Sequence, residues 1–122
     1  MPCVLVVEDD EQVRVLAEAI IQDIGHRTMS AATFPEALAL LEGDTSIEAL
    51  FTDIKLVEDG PTGLDLAAAA RETRPNIRVL YTTGQVITDG LRALMVDGSD
   101  CLPKPYTPDK LSSMIAEMFR AT

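Results

Sequence analysis

The sequence predicts an α/β fold, a doubly wound (βα)5 arrangement in which five parallel strands are covered by helices on both faces. Two observations carry this. Short apolar runs such as Val4-Leu5-Val6-Val7 and "ALFTD" (49–53) have the length and continuity of strands buried on both faces. Between them lie segments whose apolar residues recur at helical spacing, so strand and helix signals alternate along all 122 residues. A third feature bears on function: the apolar runs end in carboxylates, hydroxyls or a lysine.

Each element has its own signals. After the first strand, Val13, Leu16, Ile20 and Ile24 fall at helical spacing, and Gly25 ends the helix. His26 to Ala31 reads as a short, weakly apolar strand. Thr33 is an N-cap for a helix carrying Ala37, Leu38 and Leu41, which Gly43 closes. Residues 49–53 form the third strand and end in Asp53. "IKLVEDGPTG" is a loop with turn chemistry at Asp59-Gly60-Pro61. Thr62 caps the next helix, in which Leu64, Leu66, Ala67 and Ala70 face a core and which Pro75 stops. "RVLYTTG" (78–84) is a strand ending in hydroxyls and a glycine. "TDGLRALMVDG" (88–98) is a short helix weakened by Gly90. "DCLPKPY" is a brief strand that runs into a loop, and Pro103 suits it to a sheet edge. Thr107 as N-cap and Pro108 at the first helical position open a last helix with a stripe of Leu111, Ile115, Met118 and Phe119. With no internal repeat or low-complexity segment, residues 1–122 are expected to form a single domain.

Composition narrows the function. The net charge is −10, which argues against a nucleic-acid surface and permits cation binding or basic protein partners. No apolar run approaches the roughly 20 residues of a membrane span, and the N-terminus lacks the regions of a signal peptide, so a cytoplasmic location is expected. The cysteines Cys3 and Cys101 form neither a CxxC nor a cluster with histidine, which disfavours zinc. His26 is expected at the surface, away from any site.

The first strand delivers four consecutive acids, Glu8, Asp9, Asp10 and Glu11. Two carboxylates about 5 Å apart repel by roughly 3 kcal/mol at an effective dielectric near 20, so the run needs compensation. In parallel α/β sheets, sites gather at the carboxyl ends of the strands. Those ends hold Glu8 and Asp9, then Asp53, then Thr82, Thr83 and Gly84, then Lys104 and Pro105. Asp9, with Glu8 acting directly or through water, is a candidate ligand for a hard divalent cation such as Mg2+. Asp10 and Glu11 serve instead as cap and first-turn acids of the helix that follows.

The motifs "VVEDDE", "FTDIKL", "YTTG" and "LPKPY", in this order after strands one, three, four and five, make the chain resemble the receiver domain of two-component response regulators, CheY-like and flavodoxin-like in fold. The resemblance covers nearly the whole chain. It implies the strand order 2-1-3-4-5 and places Cys3 and Cys101 on strands roughly 14 Å apart at the usual strand spacing, too far for a disulfide. It implies that Asp53 is the phosphoacceptor, taking a phosphoryl group from a phosphohistidine of a sensor histidine kinase or phosphotransfer protein. Mg2+ would be held by Asp9, Asp53, the Lys55 backbone carbonyl and Glu8 through water. Thr83 would bond a phosphoryl oxygen, Thr82 would point the other way, and Lys104 would pair with the phosphoryl group. Lys55 and Gln85 occupy positions that in the family tune phosphate lifetime. A cis Lys104-Pro105 bond, an unknown downstream protein and possible homodimer formation are further implications. The protein would assist its own phosphorylation without turning over an external substrate.

Two departures concern signalling. The family has Tyr or Phe three residues before its lysine, where this chain has Cys101, and the loop after Asp53 lacks the usual Met-Pro pair and is longer. Cys101 is too small to sweep the volume of an aromatic switch, so transmission is expected through Thr83 and the backbone from Thr83 to Thr88. "YTTG" is also similar to a subclass with Phe-Ala-Thr-Gly, although Val86 is followed by no tyrosine. Three rivals fit less well. A haloacid-dehalogenase-like phosphatase wants a second Asp two residues after the first, where Lys55 stands. A flavin-binding domain wants a hydroxyl- and glycine-rich phosphate loop after strand one, where these acids would repel phosphate. A phosphorylation-independent interaction module has no need of Glu8, Asp9, Asp53, Thr83 and Lys104 together.

Overall fold

The structure, a computed structural model, describes residues 2–120. Among them the elements run β1 (Cys3–Val7), α1 (Glu11–Asp23), β2 (Arg27–Ala31), α2 (Phe34–Gly43), β3 (Ile47–Asp53), α3 (Gly63–Thr73), β4 (Arg78–Thr83), α4 (Asp89–Ala93), β5 (Asp100–Pro103) and α5 (Pro108–Arg120). All strand pairs are parallel and form one sheet in the order β2-β1-β3-β4-β5, the flavodoxin-like arrangement that the sequence implied. β5 lies at an edge, where Pro103 pairs in register with Thr83.

Strand alternation divides the core into two layers. Leu5, Val7, Leu50, Tyr81 and Cys101 point to one face, where Ala37, Leu41, Leu66 and Ala67 of α2 and α3 cover them. Val4, Val6, Phe51, Leu80 and Leu102 point to the other, beneath Ala17 and Ile21 of α1 and Leu111 and Ile115 of α5. Fully burying each such side chain contributes roughly 1.5–3 kcal/mol. β1, buried at every residue, contributes one side to each layer.

The helix ends follow the sequence. Asp10 caps α1 by accepting from the Gln12 and Val13 amides, and Thr33 caps α2 by accepting from Glu36. Thr62 and Asp65 bond reciprocally as a capping box on α3. Gly25 turns the chain after α1 at φ +96°, a conformation that favours glycine. Arg74, just past α3, donates to the carbonyl of Ile47 at 2.9 Å and to those of Leu41 and Asp44, binding the end of α2 to the start of β3.

Three local expectations change. The core face of α1 is Ala17, Ile20 and Ile21, whereas Leu16 is 54% exposed and Ile24 37%. Helical spacing alone allowed either stripe, and the sheet selected the one with the smaller residue. The fourth helix spans 89–93, shorter than the 88–98 segment, and none of its residues is fully buried. His26 is half-buried, its ring stacked 4.5 Å from that of Phe119.

Candidate functional site

The carboxyl ends of β1, β3, β4 and β5 lie side by side because the strands are parallel, and the sheet ladder runs on past β1, β3 and β5. The Glu8 amide donates to Ala31, the Ile54 amide to Thr82 and the Lys104 amide to Thr83, at 3.1, 3.0 and 2.8 Å. These bonds support the backbone at Glu8, just after Asp53 and at Lys104. A cleft of about 550 Å³ opens there, lined among others by Asp9, Asp53, Lys55, Thr83 and Lys104.

Glu8, Asp9 and Asp53 each offer a carboxylate oxygen, and the three oxygens lie within 4.8 Å of one another. Glu8 and Asp53 are buried, and Asp9 is exposed. The Lys104 ammonium bridges the two buried acids, donating to Glu8 Oε1 and Asp53 Oδ2 at 2.7 Å each. Burial works against the ammonium, but the hydrogen bonds and charges of Asp53 and Glu8 outweigh it and hold Lys104 above the usual lysine range. Glu8 is likewise held above the ordinary carboxyl value: burial pushes it up, opposed by the bond from Lys104 and reinforced by Asp9 and Asp53. Glu8 Oε2 accepts from the Asp10 amide and Asp53 Oδ1 from the Lys55 amide, at 3.2 and 3.3 Å.

The oxygen-only donor set suits a hard cation. Ligands opposite one another on magnesium stand about 4.2 Å apart, so oxygens within 4.8 Å fit such an ion with small side-chain adjustments or an intervening water. One lysine leaves three neighbouring acids with net negative charge, which a divalent cation would neutralise.

The residues singled out in the sequence, Glu8, Asp9, Asp53, Lys55, Thr83 and Lys104, therefore meet at one place. Thr83 is buried, and its hydroxyl accepts from the Gln85 amide at 3.1 Å. Thr82 faces away, donating to the Leu102 carbonyl at 2.7 Å. Lys104-Pro105 is cis. Cys3 and Cys101 are both free and buried. Cys101 does not reach the cleft; it lies in the core layer beside Tyr81, its register partner on β4.

Sequence reasoning missed three contributors. Gly63 brings the start of α3 against the end of β3 so closely that a Cβ there would stand 2.1 Å from the Asp53 carbonyl oxygen. Arg14 donates to the Glu8 carbonyl at 2.9 Å, a contact six residues back along the chain that helical spacing does not announce. Tyr106 flanks the site, its ring edge-on to Phe51, in an apolar groove shared with Val13 and Leu16.

Comparison with known proteins agrees with this geometry. The family model described as "Response regulator receiver domain" matches residues 4–116. Sensor kinase CckA of Brucella abortus is 31% identical over 94% of this chain and 12% of its own length. A putative NtrX-like response regulator of Rickettsia bellii is 28% identical over 98% of this chain and 25% of its own. The chain thus spans a quarter or less of these two relatives. The receiver domain of NtrX from Brucella abortus superimposes with a TM-score of 0.84 at 26% identity, covering 98% of this chain and 99% of that one. A response regulator receiver protein from Sinorhizobium medicae superimposes at 0.89, covering 98% and 95%; at 24% identity it speaks for the fold alone. Fold, motif order and family match converge: the chain belongs to the response regulator receiver domain family of two-component systems.

Proposed function

We propose that Asp53 accepts a phosphoryl group from a phosphohistidine of a sensor histidine kinase or phosphotransfer protein. The observation that carries this reading is the buried Asp53 carboxylate, at the mouth of a cleft, with Lys104 at 2.7 Å and two further acids beside it. A carboxylate oxygen of Asp53 attacks phosphorus, the P–N bond breaks, and the imidazole leaves with the electron pair. Lys104 exchanges its bond to Asp53 for one to a phosphoryl oxygen, and the Thr83 hydroxyl turns to donate to another. Glu8, Asp9, Asp53 and the Lys55 carbonyl are the groups to hold Mg2+, which when bound offsets phosphoryl charge and the repulsion among the acids.

The output is a changed surface that alters binding to a downstream protein or a second copy of this chain. The net charge of −10 disfavours direct nucleic-acid contact. Among the described residues no helix is long and apolar enough to cross a membrane, and we place this activity in the cytoplasm. The chain acts as a signalling module, not as an enzyme on an external substrate.

Incubation with acetyl phosphate and magnesium tests this. Intact-mass measurement should find a hydroxylamine-sensitive phosphoryl adduct on the wild type and none on Asp53→Asn. Equal adduct on the variant would move the acceptor elsewhere and overturn the assignment.

A further inference from the structure

On β5 the small Cys101 stands beside Tyr81, and it is Tyr81 that reaches from β4 to the connection after α4. Tyr81 is fully buried, pairs in register with Cys101, and precedes Thr83 by two residues, so both point to the same face of β4. Its phenol lies in the core layer that contains the small Cys101 side chain. Its hydroxyl accepts a hydrogen bond from the backbone amide of Val96 at 3.2 Å, in the connection between α4 and β5. Against the same layer pack Ile87, Leu91, Met95 and Val96, which flank or belong to α4 and are only partly buried. The ring thus spans from the strand that carries Thr83 to the end of the helix least anchored in the core.

We propose that Tyr81 couples Thr83 to α4, its hydroxyl carrying movement of the end of β4 to the backbone at Val96. The inference rests on the phosphoacceptor reading of Asp53. When Thr83 is drawn toward a phosphoryl oxygen, the last residues of β4 follow, the rigid phenol moves with its own backbone, and the Val96 amide moves with the hydroxyl. Tyr81 is a positioning residue: it touches no reacting atom. A second tie to the same connection provides a contrast. Arg71 of α3 donates to the Asp97 carbonyl at 2.9 Å, but its helix does not carry Thr83. A purely structural role would make the two ties equivalent, whereas a relay depends on Tyr81 alone.

The experiment records backbone amide resonances of residues 86–99 with magnesium, before and after adding beryllofluoride as a phosphoryl mimic, in wild type, Tyr81→Phe and Arg71→Gln. The phenylalanine ring keeps the core filled and removes only the hydroxyl. Without the mimic, the Val96 amide in Tyr81→Phe should exchange with solvent about fivefold faster, as expected for one lost hydrogen bond. With it, Tyr81→Phe should bind beryllofluoride within about threefold of wild type yet lose at least about half of the displacement at Leu94 and Val96, while Arg71→Gln keeps it. A full displacement in Tyr81→Phe, or an equal loss in Arg71→Gln, would overturn the coupling role while leaving the phosphoacceptor reading intact. A wild type that does not respond to beryllofluoride at all would remove that reading, and with it any signal for Tyr81 to carry.

Discussion

Lys104 Nζ stands 2.7 Å from Asp53 Oδ2, joining the ends of two strands 51 residues apart in sequence. The Lys104 side chain is 27% exposed and that of Asp53 10%, so water screens the pair only in part. Replacing Lys104 by Met leaves Glu8 and Asp53 without their cation. The metal-free protein should lose about 1–3 kcal/mol, at or below the lower end for breaking a buried pair because the lysine retains some solvent. Urea denaturation measures it, and magnesium should recover part of the loss. An unchanged midpoint would mean that the acids are solvated well enough to need no lysine.

Magnesium should raise the melting temperature of the wild type through linkage. At tenfold over its Kd the gain is about 1.4 kcal/mol. Asp9→Asn should reduce the gain by more than about half, because one of the three converging carboxylates loses its charge. Thermal melts across a magnesium titration provide the test, and equal gains in both proteins would remove Asp9 from the ligand set.

Gly63→Ala places a methyl 2.1 Å from the Asp53 carbonyl oxygen and 3.0 Å from Thr52 Oγ1, so α3 or β3 must shift. The expected loss is about 1–3 kcal/mol, and acyl-phosphate formation should slow because Asp53 itself is displaced. Gly90→Ala is the contrast: the nearest atom to its Cβ is 3.8 Å away, and the change should stabilise by about 0.5–1 kcal/mol. Chemical denaturation of both variants decides whether close approach, rather than glycine's flexibility, explains Gly63.

The cysteines should be silent in the native state. Cys3 is 1% and Cys101 6% exposed, and burial pushes both thiols above their ordinary value of 9.0. An aromatic disulfide reagent should titrate neither until urea unfolds the chain. The sign of the pH effect follows. As pH rises through 9.0, thiols of the unfolded chain ionise first, the folded state retains more protons, and stability falls. Ala at both positions should flatten that decline; an unaltered slope would assign it to other groups.

Much of this was legible because punctuation and charge placement are local. The caps Asp10, Thr33 and Thr62 and the strand-end residues Glu8, Asp53, Thr83 and Lys104 each follow from a few neighbouring letters. The core face of α1 was not legible, because Val13, Leu16 and Ile20 form as regular a stripe as Ala17, Ile20 and Ile21, and only the sheet chooses between them. In the sequence Tyr81 has no role beyond its place in the "YTTG" strand end, since its partner Val96 lies 15 positions away, across a helix. Gly63 read as the start of a helix, because close approach to Asp53 is a property of two elements packed together.

The shallow seating of α4 sets how much free energy any remodelling of it would require. A helix of five residues with none fully buried forfeits little apolar area when it is reshaped. Inverting a two-state population from about 1:99 to 99:1 takes roughly 5.5 kcal/mol of differential interaction. Two or three charge-assisted hydrogen bonds, each about 1.5–3 kcal/mol, are of that size. Were α4 seated like α5, with Leu111 and Ile115 at 0% exposure, the same bonds would have to extract two whole side chains from the core. On the proposed reading, leverage would come from how little α4 holds on to, as much as from how strongly the site pulls.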